Sequence, residues 1–345
     1  MVVIMKPNAN EKEIDHVIKF IKKNYGLRVD IIKGQFQTII GLIGDESEVD
    51  FERLSILPGV ERAHRIQSQY KLVDRTYFPD DKIIEVKGVK IGGNNRPVYI
   101  AGPCSVESKD QLYTTAKGVK EAGADILRAG LFKPRSSVHS YQGLGEEGLE
   151  ILASAGEEFD IPTVTEVRSE KHAEIIAKYV DVLQIGTRNM YNQDLIEEVA
   201  KQKKPVLFKR SFAASIDEFL SFSERAVAQG NRDIILCERG IIPIGRGRQH
   251  TRYILDLSAI PVIKKVSYLP IIIDPSHGTG RRDLIYSMSK AAIAAGADGL
   301  MIEVHHRPEE ALSDGPQMIL PSELEKIISV CNKIYELNSL EQKVI

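Results

Sequence analysis

The chain has 345 residues, of which 43% are hydrophobic and 27% are charged. Domains usually contain roughly 100–200 residues, so this length predicts about two domains, and the composition is typical of globular rather than disordered or collagen-like proteins. The 46 Lys and Arg residues against 48 Asp and Glu residues leave a formal charge of −2, which gives no overall field for nucleic acid or an acidic membrane. Partners are therefore expected to bind at local, specific sites.

The three cysteines, Cys104, Cys237 and Cys331, are widely spaced and form no CxxC pair. This pattern argues against a disulfide framework or a structural zinc site. The N-terminus has no signal-peptide pattern, and no stretch of 18 apolar residues occurs in the sequence. We expect a soluble protein of the cytoplasm.

The first 70 residues predict a small domain with the element order βαββαβ. Apolar runs at 2–5, 27–32, 37–44 and 60–66 predict strands, and segments 10–24 and 47–57 predict helices, the first capped by Asn10. This order is that of a ferredoxin-like domain, a shape often used to bind small regulatory ligands. A docking or oligomerisation domain is the alternative.

The remainder of the chain predicts a (β/α)8 barrel over residues 83–345, preceded by a linker at 71–82. Eight short apolar runs alternate there with helix-length segments, and continuous apolar runs are typical of parallel strands that are buried on both faces. About 250 residues with eight βα units is the size of such a barrel, with a doubly wound open sheet as the alternative. The runs are 97–102, 125–130, 161–167, 180–186, 205–210, 233–240, 269–277 and 299–305.

Polar residues occur at or just after the C-terminal ends of these runs, where (β/α)8 barrels form their active sites. Among them are Cys104, His277 and Glu303, and Asp314 follows the last run. If these four side chains converge through the fold, their mixed soft and hard donors would accept Mn, Fe, Co, Zn or Cu, and the ion would act as a Lewis acid on a carbonyl oxygen. Their spacing matches no local metal motif, so satisfied polar residues remain an alternative.

Basic residues are concentrated in the loops at the same end of the predicted barrel. Arg binds phosphate and carboxylate through a bidentate fork and Lys provides a point charge, so the group suits a substrate with several anionic groups. The alternative is that these residues form a solvated surface. This alternative applies least to Arg128 and Lys209, which follow apolar strands directly. The basic residues are Arg128, Lys133, Arg135, Arg188, Lys209, Arg239, and Arg281 or Arg282.

A series of ordered motifs resembles the 3-deoxy-D-arabino-heptulosonate 7-phosphate (DAHP) synthases of the type I beta group. The resemblance covers the whole predicted barrel, and the N-terminal 70 residues resemble the regulatory domain of some members. The motifs are IAGPCSVES (100–108), LRAGLFKPRSS (127–137), YQGLGEEGL (141–149), QIGTRNM (184–190), LFKR (207–210), LCERG (236–240), DPSHGTGRRD (274–283) and EVHHRPEEALSDGPQ (303–317).

The resemblance implies condensation of phosphoenolpyruvate (PEP) with erythrose 4-phosphate, the first step of the shikimate pathway to aromatic amino acids. It also implies that Cys104, His277, Glu303 and Asp314 bind one divalent metal ion, whose identity stays open. Family likeness further implies a homo-oligomer, commonly a tetramer, and feedback inhibition by Tyr or Phe through the N-terminal domain.

Substrate contacts follow from the same resemblance. Two phosphates and one carboxylate would account for the number of cations. Arg135 and Ser136 are expected to bind erythrose 4-phosphate, and Lys133, Glu238 and His305 are candidates for proton transfer or for positioning water. The expected PEP contacts are Arg128, Lys133, Arg188, Lys209 and Arg239.

Several positions depart from the family pattern, most of all the segment 241–253, which keeps only the Thr251-Arg252 pair. Ser136 replaces the more frequent Thr and retains the hydroxyl, and His306 stands where Pro is frequent. The nearest alternative is 3-deoxy-D-manno-octulosonate 8-phosphate synthase, which uses arabinose 5-phosphate; the KPR run at 133–135 favours the shorter sugar. A degenerate barrel acting as an amino-acid sensor is the alternative of a different class.

Overall fold

The computed structural model describes residues 1–33, 37–44, 46, 48–64, 70–76, 78–132, 141–243 and 250–341. The chain divides into two compact units, Met1–Gln69 and Tyr70–Ile345. Within the described ranges no helix has the length and apolar character needed to cross a membrane. The predicted site residues Lys133, Arg135 and Ser136 lie outside the described residues, as does 244–249 of the divergent segment.

The first unit has the predicted ferredoxin-like order. The elements are β1 (Val2–Met5), α1 (Glu11–Tyr25), β2 (Arg28–Lys33), β3 (Thr38–Ile43), α2 (Phe51–Ser55) and β4 (Val60–His64). Its antiparallel sheet has the strand order β2-β3-β1-β4, and Val3 and Ile40 of the sheet share an apolar core with Val17 and Ile21 of α1. Asn10 caps α1 by accepting hydrogen bonds from the backbone N–H groups of residues 12 and 13.

The second unit contains a hairpin and the predicted closed barrel of eight parallel strands. The hairpin consists of β5 (Ile84–Val86) and β6 (Val89–Ile91), and the barrel closes by pairing of its first and last strands. The barrel strands are β7 (Val98–Gly102), β8 (Ile126–Arg128), β9 (Thr163–Val167), β10 (Val182–Ile185), β11 (Val206–Lys209), β12 (Ile234–Glu238), β13 (Ile271–Ile273) and β14 (Gly299–Glu303).

Helices surround the barrel and bury one face each against the strands. Ala173 and Ile176, for example, lie in the same apolar cluster as Leu183 and Ile185 of β10. The helices are α3 (Lys109–Glu121), α4 (Glu146–Glu158), α5 (Glu170–Tyr179), α6 (Gln193–Lys201), α7 (Ile216–Ala228), α8 (Ala259–Val266), α9 (Pro275–Thr279), α10 (Arg282–Ala294) and α11 (Pro321–Glu341).

An apolar cluster fills the barrel interior toward its N-terminal end. Ile84 and Ile91 of the hairpin belong to it, together with strand residues such as Val98 and Ile126. Cys237 is part of this cluster, and burial strongly raises the pKa of its thiol. The hairpin therefore packs against the strands at this end of the barrel.

Two segments differ in detail from the sequence prediction. Residues 71–82, expected to form a linker, belong to the second unit, where Val73 is buried and Asp74 bridges to Ser267. The run 269–277 is only partly a strand, because β13 ends at Ile273 and α9 begins at Pro275. Proline fits the first turn of a helix, having a fixed φ and no N–H to satisfy. His277 accordingly lies in a helical turn rather than in a strand.

Candidate active site

The four predicted metal ligands converge at the carboxyl end of the barrel. The Cys104 Sγ lies 3.3 Å from the Asp314 Oδ2, and the His277 Nε2 lies 3.5 Å from the Glu303 Oε1. Ligand atoms of Cys104, Glu303 and Asp314 all lie within 4.8 Å of one another. One thiol, one imidazole and two carboxylates are donors that suit a divalent transition metal, so the cluster fits the ion that the sequence predicts.

Glu303, the last residue of β14, is held on both of its carboxylate oxygens. Its Oε1 accepts a hydrogen bond of 2.6 Å from the Arg128 Nη1, and its Oε2 accepts one of 2.7 Å from the Gln317 Nε2. Burial of Arg128 opposes its charge, but Glu303, Cys104 and Asp274 outweigh burial and raise the pKa of the guanidinium. The carboxylate therefore has a fixed orientation in a charged, desolvated setting.

Asp274 holds His277 and Lys209 at the centre of the site. Its Oδ2 lies 2.7 Å from the His277 Nδ1 and 2.5 Å from the Lys209 Nζ, and all of its side chain is buried. Burial alone would raise the pKa of Asp274, but His277 and Lys209 hold it well below its usual range. Because Nδ1 of the imidazole faces this carboxylate, Nε2 is left to face the ligand cluster.

A cavity of about 360 Å³ opens beside the ligand cluster and is lined by basic side chains. His277 and Asp314 belong to its wall, as does one further carboxylate, Glu166. The six cations that the described residues place at this cavity favour an anionic ligand. The lining cations are Arg128, Arg168, Arg188, Lys209, Arg239 and Arg252.

The cations differ in what neutralises them. Arg128 pairs with Glu303 and Lys209 with Asp274. Arg239, only 4% exposed, has no hydrogen-bond partner on its Nε or Nη1 in the described part of the chain. A guanidinium that is buried without a counter-charge is costly, so Arg239 favours an anion in this part of the cavity.

Two proton-transfer candidates lie away from this cavity wall. Glu238 is fully buried and accepts a hydrogen bond of 3.0 Å from the Arg210 Nη1. His305 accepts one of 2.9 Å from the Arg307 N–H, and its ring stacks on His306. Neither belongs to the residues that line the cavity within the described ranges, so their roles stay predictions.

Sequence reasoning missed several residues that the structure places at the site. Asp274 and Gln317 lie inside quoted motifs, while Arg168 and Arg252 line the cavity. Position alone could have indicated Arg168, because it follows the last residue of β9 directly. By contrast, Arg281 pairs on the surface with Asp283, in keeping with the solvated alternative.

Fold and cavity together are those of a (β/α)8 enzyme, and comparison with known proteins identifies the family. Residues 69–339 match the DAHP synthetase I family, and residues 1–68 match the DAHP synthase ferredoxin-like domain. The chain therefore belongs to the DAHP synthetase I family. It is an enzyme of the 3-deoxy-7-phosphoheptulonate synthase class, as the resemblance implies.

Individual relatives agree with this assignment. A phospho-2-dehydro-3-deoxyheptonate aldolase of Thermotoga maritima is 46% identical, over 92% of this chain and 93% of its own. The crystal structure of a DAHP synthase from that organism has a TM-score of 0.89, 42% identity, and covers 99% of this chain and 97% of its own. A 2-dehydro-3-deoxyphosphooctonate aldolase of Fusobacterium nucleatum is 32% identical, over 73% of this chain and 95% of its own.

Proposed function

We propose that the protein condenses PEP with erythrose 4-phosphate to give DAHP and inorganic phosphate, with one divalent metal ion. The observation that carries the proposal is the juxtaposition of the ligand cluster, Cys104, His277, Glu303 and Asp314, with the cation-lined cavity. This arrangement would place a carbonyl substrate next to a substrate that carries a phosphate and a carboxylate.

Cys104, His277, Glu303 and Asp314 would hold the metal ion. Bound there, a divalent ion supplies Lewis-acid polarisation of an aldehyde oxygen. Asp274 orients the imidazole and Gln317 orients the Glu303 carboxylate, so the ligands are positioned before the ion binds. Manganese, iron, cobalt and zinc all suit this donor set.

Arg128, Arg188, Lys209 and Arg239 would bind PEP through its phosphate and carboxylate. Arg239 has no acidic partner among the described residues, whereas Arg128 and Lys209 are fixed by Glu303 and Asp274 and provide rigid positive charge. Fixed charges of this kind stabilise the negative charge that builds up during the reaction. Lys133, Arg135 and Ser136 complete the proposed set, with the last two on erythrose 4-phosphate.

The reaction forms a bond between C3 of PEP and the aldehyde carbon of the sugar, using the electron pair of the PEP C2=C3 π bond, while the aldehyde C=O π bond opens to an alkoxide. The water that then adds to C2 of the former PEP releases the proton that this alkoxide takes up, and the C–O bond to phosphate breaks. The cations around the cavity would hold both phosphorylated substrates in position for this step. Holding them there lowers the entropic cost of bringing the two substrates together.

Loss of PEP absorbance, followed with purified protein and either erythrose 4-phosphate or arabinose 5-phosphate, tests the proposal. We expect turnover with the four-carbon sugar, its loss on chelation and its return when metal is added back. Turnover with the five-carbon sugar alone would transfer the assignment to an octulosonate synthase. No turnover with either sugar at full metal loading would favour an amino-acid sensor without catalytic activity.

We also propose that residues 1–70 form a regulatory domain that binds Tyr or Phe, within a cytoplasmic homo-oligomer, commonly a tetramer among relatives. The match of residues 1–68 to a DAHP synthase ferredoxin-like domain supports this role. Titration of Tyr, Phe and Trp into initial-rate assays of the full chain should show inhibition by Tyr or Phe. An unchanged rate with all three amino acids would contradict the proposal.

A further inference from the structure

We propose that Tyr253 is a positioning residue for Arg239 and thereby sets the affinity of the site for PEP. This inference rests on the proposed function, because it assigns Arg239 to the anionic substrate. Tyr253 lies in the segment 241–253, where the sequence departs most from the family pattern, and its side chain lines the cation-lined cavity.

The aromatic ring of Tyr253 lies against the Arg239 guanidinium. The guanidinium carbon lies 4.2 Å from the ring centroid, and no acidic side chain of the described ranges forms an ion pair with Arg239. The neighbouring Arg210 shows the other arrangement, since it pairs with Glu238 and Asp256. Arg239 is thus held by a ring face rather than by a carboxylate.

The position of the ring is fixed from several sides. The Tyr253 N–H donates a 3.0 Å hydrogen bond to the Gly278 carbonyl, and Ile254 bridges to Ile241. Phe212 stacks on the ring with centroids 6.0 Å apart and planes 16° from parallel. Gly240, at a φ of +94°, allows the close approach, because a Cβ there would lie 2.7 Å from the Tyr253 Cβ.

This support orients the guanidinium without neutralising it. A carboxylate would compete with the substrate for the N–H groups, whereas a ring face attracts the cation and leaves its edge free for hydrogen bonds. The Nε and Nη1 of Arg239 are buried and have no partner among the described residues, so no group of those ranges competes with a phosphate or carboxylate for the guanidinium. Arg252, 5.6 Å from the same ring, extends the arrangement to a second cation.

The test uses the full-length, metal-loaded protein with Tyr253→Leu and Tyr253→Phe. We expect Tyr253→Leu to raise both the KM and the calorimetric Kd for PEP roughly fivefold to thirtyfold, as loss of a desolvated cation–π contact predicts. The kcat and the KM for erythrose 4-phosphate should stay within about twofold, and Tyr253→Phe, which keeps the ring, should resemble the wild type.

Tyr286→Leu provides the matched control. It removes a cation–π contact of 4.5 Å with Lys290 on α10, away from the residues that line the cavity, and should leave PEP binding unchanged. Equal PEP affinity in Tyr253→Leu and wild type would overturn this inference alone, as would a matching loss in Tyr253→Phe or a parallel rise in both KM values. Failure of the wild type to bind PEP would overturn the proposed function and this inference with it.

Discussion

Cys104→Ala is expected to abolish metal binding and turnover together. The Cys104 sulfur is the one soft donor of the predicted ligand set, 3.3 Å from an Asp314 oxygen. Removing it should weaken metal binding by more than the roughly 10–100-fold typical of partners that only orient a ligand. Turnover should fall about a thousandfold or more, because Lewis-acid activation contributes several kcal/mol to such reactions.

Metal content after dialysis and the near-ultraviolet thiolate band of the cobalt-loaded protein measure the first effect, and initial rates measure the second. Cys331→Ala is the control, since that cysteine is buried in the core and burial raises its pKa to about 12. It should keep the metal and the thiolate band. Stoichiometric metal and normal turnover in Cys104→Ala would remove Cys104 from the ligand set.

The barrel could be predicted because its strands are buried on both faces. Such strands appear as continuous apolar runs, and the run at 97–102 corresponds to the strand Val98–Gly102. The run at 269–277 was extended too far, since β13 stops at Ile273. Its end depends on Asp274, which caps α9 by accepting a hydrogen bond from the His277 N–H, and apolar periodicity does not indicate that contact.

The candidate site could be predicted by residue type but not by pairing. Polar residues after each strand indicated which side chains meet at the carboxyl end. The sequence did not show that Arg128 binds Glu303, 175 positions away, or that Lys209 binds Asp274, 65 positions away. Such pairs depend on barrel closure, which brings distant strands together.

The cavity wall formed by Arg252 and Tyr253 was also beyond sequence reasoning. The backbone N–H groups of these two residues donate to the carbonyls of Thr279 and Gly278, and these contacts set the direction of the loop. Resemblance to a family gives little help in a segment that departs from the family pattern. Hence the motifs indicated the candidate metal ligands and four of the cations that line the cavity among the described residues, Arg128, Arg188, Lys209 and Arg239, while the aromatic support of Arg239 required the structure.

Asp274→Ala is expected to destabilise the barrel unit by about 3–5 kcal/mol, the usual cost of removing one partner from a buried ion pair. Lys209 is 4% exposed and would be left as a buried cation without its carboxylate, and His277 would lose the partner of its Nδ1. The melting temperature should fall by on the order of 10 °C for a unit of this size. Metal affinity should fall as well, by about 10–100-fold, because the imidazole is no longer oriented.

Asp274→Asn separates charge from shape, since it keeps an oxygen for the backbone N–H of His277 but removes the negative charge. We expect it to lie between wild type and Asp274→Ala in thermal unfolding. Asp283→Ala, which breaks the exposed pair with Arg281, is the matched control and should leave the melting temperature almost unchanged. If Asp274→Ala has the same melting temperature as the Asp283→Ala control, Asp274 does not stabilise the buried charge of Lys209. If it melts lower but keeps the metal affinity of the wild type, the carboxylate supports the fold and His277 is oriented by other contacts.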